Sequence, residues 1–326
     1  MSTVNRQGYY REKMLVDSVI ATKKSIAGQV TALKKHIVTG AALFGSAAAG
    51  LLASSAGVLA DQPVDWQLSW QAPATKIAEQ IHWFERYSLM FIIPVTVLVL
   101  LLLLWCILRF RRSVNPVASK TSHNTTIEVI WTLGPVIILL FLAIPSFQLL
   151  TAQYSPEEPQ LTVKATGYQW YWGYEYQTED PLSFDALLLK DEDRAEAGKQ
   201  DLAAYPRLLA VDNEVVVPVD TTVRLLVTAA DVIHSWAMPA FGVKMDGVPG
   251  RNNETWFKAD REGLYYGQCS ELCGKDHAYM PIAVRVVSQE RYDTWLAAAR
   301  TDIDGANKTL MAEIANENKS VAVAGN

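Results

Sequence analysis

Residues 263–288 read GLYYGQCSELCGKDHAYMPIAVRVVS. Two runs rich in aromatic and β-branched residues, GLYYGQ and PIAVRVVS, flank a stretch holding two cysteines four positions apart, a histidine and a methionine. Such runs read as strands, so Cys269, Cys273, His277 and Met280 lie on a strand-to-strand loop that can fold back around one point. The same strand character recurs in LTVKATGYQWYWGYEY, LLAVDNEVVVPVD, TVRLLVTAA and ETWFKAD. Many short strands at close spacing predict an all-β sandwich or barrel. Residues 186–207, rich in Asp, Glu, Ala and Lys, read as a surface insertion. QERYDTWLAAAR, 289–300, reads as an amphipathic helix after Ser288, and the polar chain beyond about 305 as a loosely held tail.

The chain has three cysteines and five histidines in 326 residues, so two cysteines and a histidine in one loop call for an explanation. His234, in DVIHSWAMP, is the other histidine of the C-terminal half. It follows a strand and precedes a turn at Pro239. A Cys269–Cys273 disulfide suits an exported domain but leaves His234, His277 and Met280 idle. Tetrahedral zinc leaves Met280 over. A mononuclear blue-copper site takes two His, one Cys and a weak Met, and leaves Cys269 over. Two copper ions bridged by both thiolates, each with one imidazole and one weak axial ligand, use every soft donor once, with a backbone carbonyl to finish. That set is the favoured reading. Such a set keeps no open position for substrate, so it points to electron transfer rather than bond chemistry.

The front of the chain is of another kind. Residues 1–151 carry a net charge of +6 and residues 152–326 one of −11. A basic, apolar half followed by an acidic half predicts a membrane anchor and a water-exposed domain. An acidic domain repels phosphates, so nucleic acid is excluded as a partner, while a basic protein would be attracted. The uncharged run 37–60 ends in Val58-Leu59-Ala60 and reads as a secretory signal cleaved after Ala60, or as a retained segment; 1–60 is thus a signal or N-terminal extension. Residues 89–110 and 129–151 are apolar enough to cross a bilayer, and Cys106 within the first is a packing or lipid-facing residue. Arg109, Arg111, Arg112 and Lys120 place the hairpin tip in the cytoplasm and the acidic domain outside. At the start of the second span, Thr125 reads as an N-cap with Glu128 closing a capping box. An ionisable group at a membrane edge can also serve proton transport.

The run C-S-E-L-C-G-x-x-H-A-Y-M, with D-V-I-H-S-W upstream, G-Y-Q-W-Y-W-G-Y-E-Y at 167–176, E-V-I-W-T at 128–132, V-D-N at 211–213 and V-P-G-R at 248–251, resembles bacterial subunit II of haem–copper cytochrome c oxidase over about residues 85–300. The resemblance implies a two-helix transmembrane hairpin carrying a cupredoxin-like Greek-key barrel in the periplasm, as a multi-pass protein of the bacterial inner membrane. The expected division is a periplasmic segment 61–84, the hairpin 85–151, the barrel 152–288, and a C-terminal helix and flexible tail 289–326. It implies a dinuclear copper (CuA) centre held by the side chains of His234, Cys269, Cys273, His277 and Met280 and by the backbone carbonyl of Glu271. The Glu271 carboxylate would share a magnesium ion with subunit I. Trp170 would receive electrons from cytochrome c, guided by Glu175, Asp212 and Asp231. Glu128 would stand at the mouth of the K proton path. The activity implied is that of the subunit through which electrons enter a proton-translocating cytochrome c oxidase; oxygen is reduced to water at subunit I. Metal-free quinol-oxidase relatives lack the ligands present here, and a copper-delivery protein would need labile donors near an exit. No C-x-x-C-H haem-attachment motif occurs, so the cytochrome is a separate protein, and lipid and other oxidase subunits are the remaining partners.

Overall fold

The computed structural model describes residues 60–324; the expected signal segment lies outside them, apart from Ala60. Two long helices come first, α1 (Lys76–Arg109, 34 residues) and α2 (Thr125–Tyr154, 30 residues). Both are long and apolar enough to cross a membrane. At 1.5 Å per residue they measure roughly 50 and 45 Å, longer than a hydrocarbon core, so their ends stand clear of it. Pro94, Pro135 and Pro145 lie within them, as membrane helices tolerate. The Tyr87 hydroxyl donates to the Phe141 carbonyl at 3.2 Å, and the Phe91 and Phe141 rings stack at 6.4 Å, tying the hairpin together. Cys106 is exposed on α1.

The N-cap of α2 is Asn124, one residue earlier than expected. Its side chain accepts from Ile127 N at 3.2 Å, and Glu128 Oε1 accepts from Asn124 N at 3.0 Å. The reciprocal cap therefore exists with Asn124 in place of Thr125, since an amide oxygen also accepts from the first turn.

The β domain is a cupredoxin-like sandwich of two sheets. One runs in the order β5 (Val215–Pro218), β11 (Pro281–Val287), β10 (Gly263–Cys269), β7 (His234–Met238), β8 (Val243–Gly247). The two-residue β1 (Ala60–Asp61) adds in parallel to β10. The other runs β4 (Leu182–Ala186), β3 (Tyr171–Tyr176), β2 (Leu161–Tyr168), β6 (Val223–Ala229), β9 (Asn253–Phe257). β2 and β6 bury every second residue, the signature of a sheet with one face on the core. Trp172, Tyr176, Leu225, Trp236 and Ile282 fill the space between the sheets, each under 3 % exposed. The run expected as a single strand across residues 161–176 turns at Gln169-Trp170, and that turn lies over the thiol loop.

β11 is buried at all seven positions because something covers each face. One cover is the 187–210 insertion, which is anchored rather than loose. Lys199, 1 % exposed, donates to the carbonyls of Val211 (2.8 Å) and Asp212 (2.9 Å) and pairs with Glu214 at 3.0 Å. Glu214 also holds Arg285 of β11 at 2.5 Å. The opposite face, which carries Ile282, packs against the other sheet, and two helices follow β11 in the chain. α3 (Gln289–Ala299), capped by Ser288, buries Tyr292 and Trp295. The chain expected to be loose beyond 305 instead forms α4 (Ile303–Ala324), packing Ala306 and Leu310 beside α3, with Asn307 accepting from Trp295 Nε1 at 2.8 Å. Ile303, Ala306, Leu310 and Ile314 recur at helical spacing, a pattern diluted in the sequence by polar neighbours.

The sandwich is fastened to the helices at both ends. Thr75 caps α1, accepting from Ala78 N at 3.0 Å, while its hydroxyl donates to Phe241 O at 2.8 Å. Gly242, at φ 68°, approaches Ala78 so closely that a Cβ would sit 3.1 Å from Ala78 Cα. Trp256 Nε1 donates to Gln153 O at the end of α2 at 2.9 Å.

Candidate metal centre

β10 ends at Cys269 and β11 begins at Pro281, so the sheet fixes both ends of the ligand loop. β7 pairs with β10 through Trp236↔Cys269. This register sets His234, the first residue of β7, beside Cys269, which the separation of 35 positions conceals. The thiols of Cys269 and Cys273 are free and buried, with their sulfurs 4.0 Å apart. Each has its own company. Cys269 Sγ lies 3.8 Å from His234 Nδ1 and 3.4 Å from the Glu271 carbonyl oxygen. Cys273 Sγ lies 3.5 Å from His277 Nδ1 and 3.5 Å from Met280 Sδ. The expected donors therefore converge as two similar halves: thiol, imidazole nitrogen and one weak donor each. One candidate ligand atom each from His234, Cys269 and Cys273 lies within 4.8 Å of the others.

This set fits a thiophilic metal. A metal–thiolate bond of about 2.3 Å lets one ion touch two sulfurs up to about 4.6 Å apart, and the observed separation falls inside that limit. Soft thiolate donors suit copper, zinc and iron–sulfur centres, and the added thioether of Met280 suits copper better than tetrahedral zinc. Burial raises the Cys269 thiol, but hydrogen bonding to His234, Glu271 and Ser235 outweighs it and brings the group down to about 7. Burial, then the charge of Cys269, pushes Cys273 up to about 12. A bound cation would displace the protons of both thiols.

The surroundings orient the imidazole. Asp231 Oδ1 lies 2.9 Å from His234 Nε2 and accepts from Val232 N at 2.6 Å, while Oδ2 accepts from Gln169 N at 2.8 Å. A ring that gives its Nε2 proton to this carboxylate keeps Nδ1 free as a ligand. Gly167 backs the ring: a Cβ there would lie 2.7 Å from His234 Cγ and Cδ2. Burial favours the uncharged Asp231, yet its bonds to His234, Val232 and Gln169 hold it below the usual carboxylate range.

Trp170 is half-buried over the loop. Its Nε1 donates to Cys273 O at 3.3 Å, and Lys275 Nζ lies 5.6 Å from the ring centroid. The Glu271 side chain is exposed. Glu175, with its side chain 43 % exposed, lies 3.9 Å from Lys164. Asp212 is half-buried and accepts from Leu187 N and Asn213 N, so it staples a loop. Glu128 is outside this cluster, at the first turn of α2. Sequence reasoning missed Gly167, Gln169 and the bond from Asp231 to His234. The three-residue spacing in D-V-I-H was a signal for the last; nothing local pointed to the other two.

The family described as cytochrome c oxidase subunit II, periplasmic domain, matches residues 161–287, and its transmembrane-domain counterpart matches residues 63–149. The chain is similar to the probable cytochrome c oxidase subunit 2 of Rickettsia conorii, 41 % identical over 309 residues, covering 93 % of this chain and 96 % of that one. It is 45 % identical over 271 residues to cytochrome c oxidase subunit 2 of Cereibacter sphaeroides, covering 78 % and 89 %. The crystal structure of the periplasmic domain of subunit II of cytochrome oxidase of Bradyrhizobium japonicum is 51 % identical, with a TM-score of 0.41, covering 46 % of this chain and 99 % of that one.

Proposed function

Because the chain belongs to the cytochrome c oxidase subunit II family, anchored in the inner membrane with its β domain in the periplasm, we propose that it is the subunit through which electrons enter the oxidase. It would take them singly from cytochrome c and pass them to a haem of subunit I, where oxygen is reduced to water. The observation that carries this reading is the pair of free thiols 4.0 Å apart, each beside its own imidazole Nδ1 and one weak donor. His234, Cys269, Cys273, His277, Met280 and the Glu271 carbonyl would hold two copper ions. When bound, the copper pair supplies a one-electron acceptor and donor.

The chain's own residues do the rest. The β10–β11 frame and the Asp231–His234 bond fix the donors in one arrangement, so little reorganises when charge changes. Trp170 presents an indole to a docking protein at one edge while its Nε1 bonds the Cys273 carbonyl, which makes it the natural point of electron arrival. The Glu175 side chain, 43 % exposed, stands more open than that of Asp231 at 33 %. Asp212 and Asp231 spend oxygens on main-chain N–H groups, so they act through the field of the acidic domain more than through contact. The exposed Glu271 carboxylate would hold magnesium against subunit I. Glu128, at the cytoplasmic end of α2, would accept protons at the mouth of the K path. The division into hairpin, CuA domain and C-terminal helices follows the same reading, with lipid and the other oxidase subunits covering the exposed apolar helix faces.

Copper analysis tests this. The purified full chain should bind two copper ions, and the odd electron of its one-electron-oxidised form should couple equally to both nuclei. One copper per chain, or zinc in its place, would overturn the reading.

A further inference from the structure

Resting on that reading, we infer that Gln169 is a positioning residue of the metal centre, tying both ligand-bearing loops to the β2–β3 turn. Its side-chain Nε2 donates to Cys273 O at 2.8 Å, and its main-chain N–H donates to Asp231 Oδ2 at 2.8 Å. Asp231 in turn holds His234 Nε2. One exposed residue therefore reaches the Cys273 thiol's loop through its side chain and the imidazole beside Cys269 through its backbone.

The loop needs such a tie. Cys273 is followed by Gly274 at φ 130°, a backbone region that residues with a Cβ avoid. Only a bare Cα fits there in any case, since a Cβ would lie 2.9 Å from Trp170 Cζ2. A glycine has no local preference for this conformation over its many others, so the direction of the Cys273 carbonyl has to be set from outside. Gln169 Nε2 and Trp170 Nε1 supply the two donors that this oxygen takes. The amide makes the shorter bond. It faces the carbonyl across a turn already anchored by Gly167, which abuts the His234 ring. The fixed turn thus acts as a template, and the thiol of Cys273 is placed with its carbonyl.

The test uses the full chain in detergent with copper as the probe. Gln169→Met keeps the length and removes the donor; Gln169→Glu sets carboxylate oxygens against the Cys273 carbonyl. Copper affinity by chelator competition should fall about tenfold for Met and further for Glu. The equal coupling of the electron to two nuclei should be lost or visibly unequal, while the metal-free variants melt where the wild type does. Wild-type affinity and spectrum in both variants would make Gln169 at most a contact for the cytochrome and overturn the inference. So would a lowered melting temperature of the metal-free chain with an unaltered spectrum in the copper-loaded fraction. A wild-type chain that takes up no copper would overturn the functional reading itself, a result visible before any variant is made.

Discussion

Trp170 and His234 show how single side chains acquire their roles here. The indole spans two environments, half-buried against the loop and half open to solvent, and its one polar atom bonds the Cys273 carbonyl. Trp170→Phe keeps an aromatic face but has no N–H to give Cys273 O. It should slow reaction with cytochrome c about tenfold, equivalent to roughly 1.4 kcal/mol at the barrier, while leaving copper content unchanged; stopped-flow reduction of the copper-loaded chain would read it. An unaltered rate would remove Trp170 from the electron route. His234 is instead wholly enclosed, between Gly167, the edge of Trp172 at 6.0 Å and Asp231. Its companions are identifiable only because the two sheets pack β2 against β7.

At the scale of an element, α2 illustrates a residue with two compatible duties. Glu128 Oε1 accepts the Asn124 N–H and completes the helix cap, and the proposed function asks the same carboxylate to take up protons at the cytoplasmic surface. The two duties separate by substitution. Glu128→Gln keeps an acceptor oxygen and should keep the cap, yet slow the proton-linked reduction of the partner subunit's active site. Glu128→Ala should slow that step and also lose the cap bond, with a loss of about 1 kcal/mol in helix stability. Equal rates in Glu128→Gln and wild-type oxidase would leave only the cap. The sequence predicted a cap here but misplaced it by one residue, because Asn, Thr and Thr at 124–126 are all competent and only the backbone shows where helical geometry begins. Strands β4, β7 and β8 were not legible for a related reason. Each is five residues with little β-branched character, and each exists because neighbouring strands complete its hydrogen bonds.

Across the whole molecule, the buried ion cluster joins the insertion, the strand before the core and β11. Burial alone would raise Glu214 from its usual 4.5, but Arg285 and Lys199 outweigh that and hold it down to about 2. A carboxylate depressed by folding stabilises the native state fully above its unfolded value and loses that contribution as pH falls toward the folded one. The domain should therefore lose stability between about pH 4.5 and pH 2, seen as a falling melting temperature. Glu214→Gln should flatten that part of the curve. It should also cost about 3–5 kcal/mol at neutral pH, because Lys199 and Arg285 are left buried without their carboxylate. A variant with the wild-type acid profile would show that other groups govern it.

The sequence by itself determined the membrane hairpin, the β character of the outer domain and the identity of the soft donors. Those features are written in runs of hydrophobicity, in period-two alternation and in residue types scarce enough to stand out. Tertiary structure alone decided that His234 meets Cys269, that Gln169 and Gly167 shape the centre, that a buried ion cluster pins the surface insertion, and that the C-terminal chain packs instead of trailing. These depend on strand register and on contacts between residues far apart in the chain, and no local pattern encodes a distance between loops.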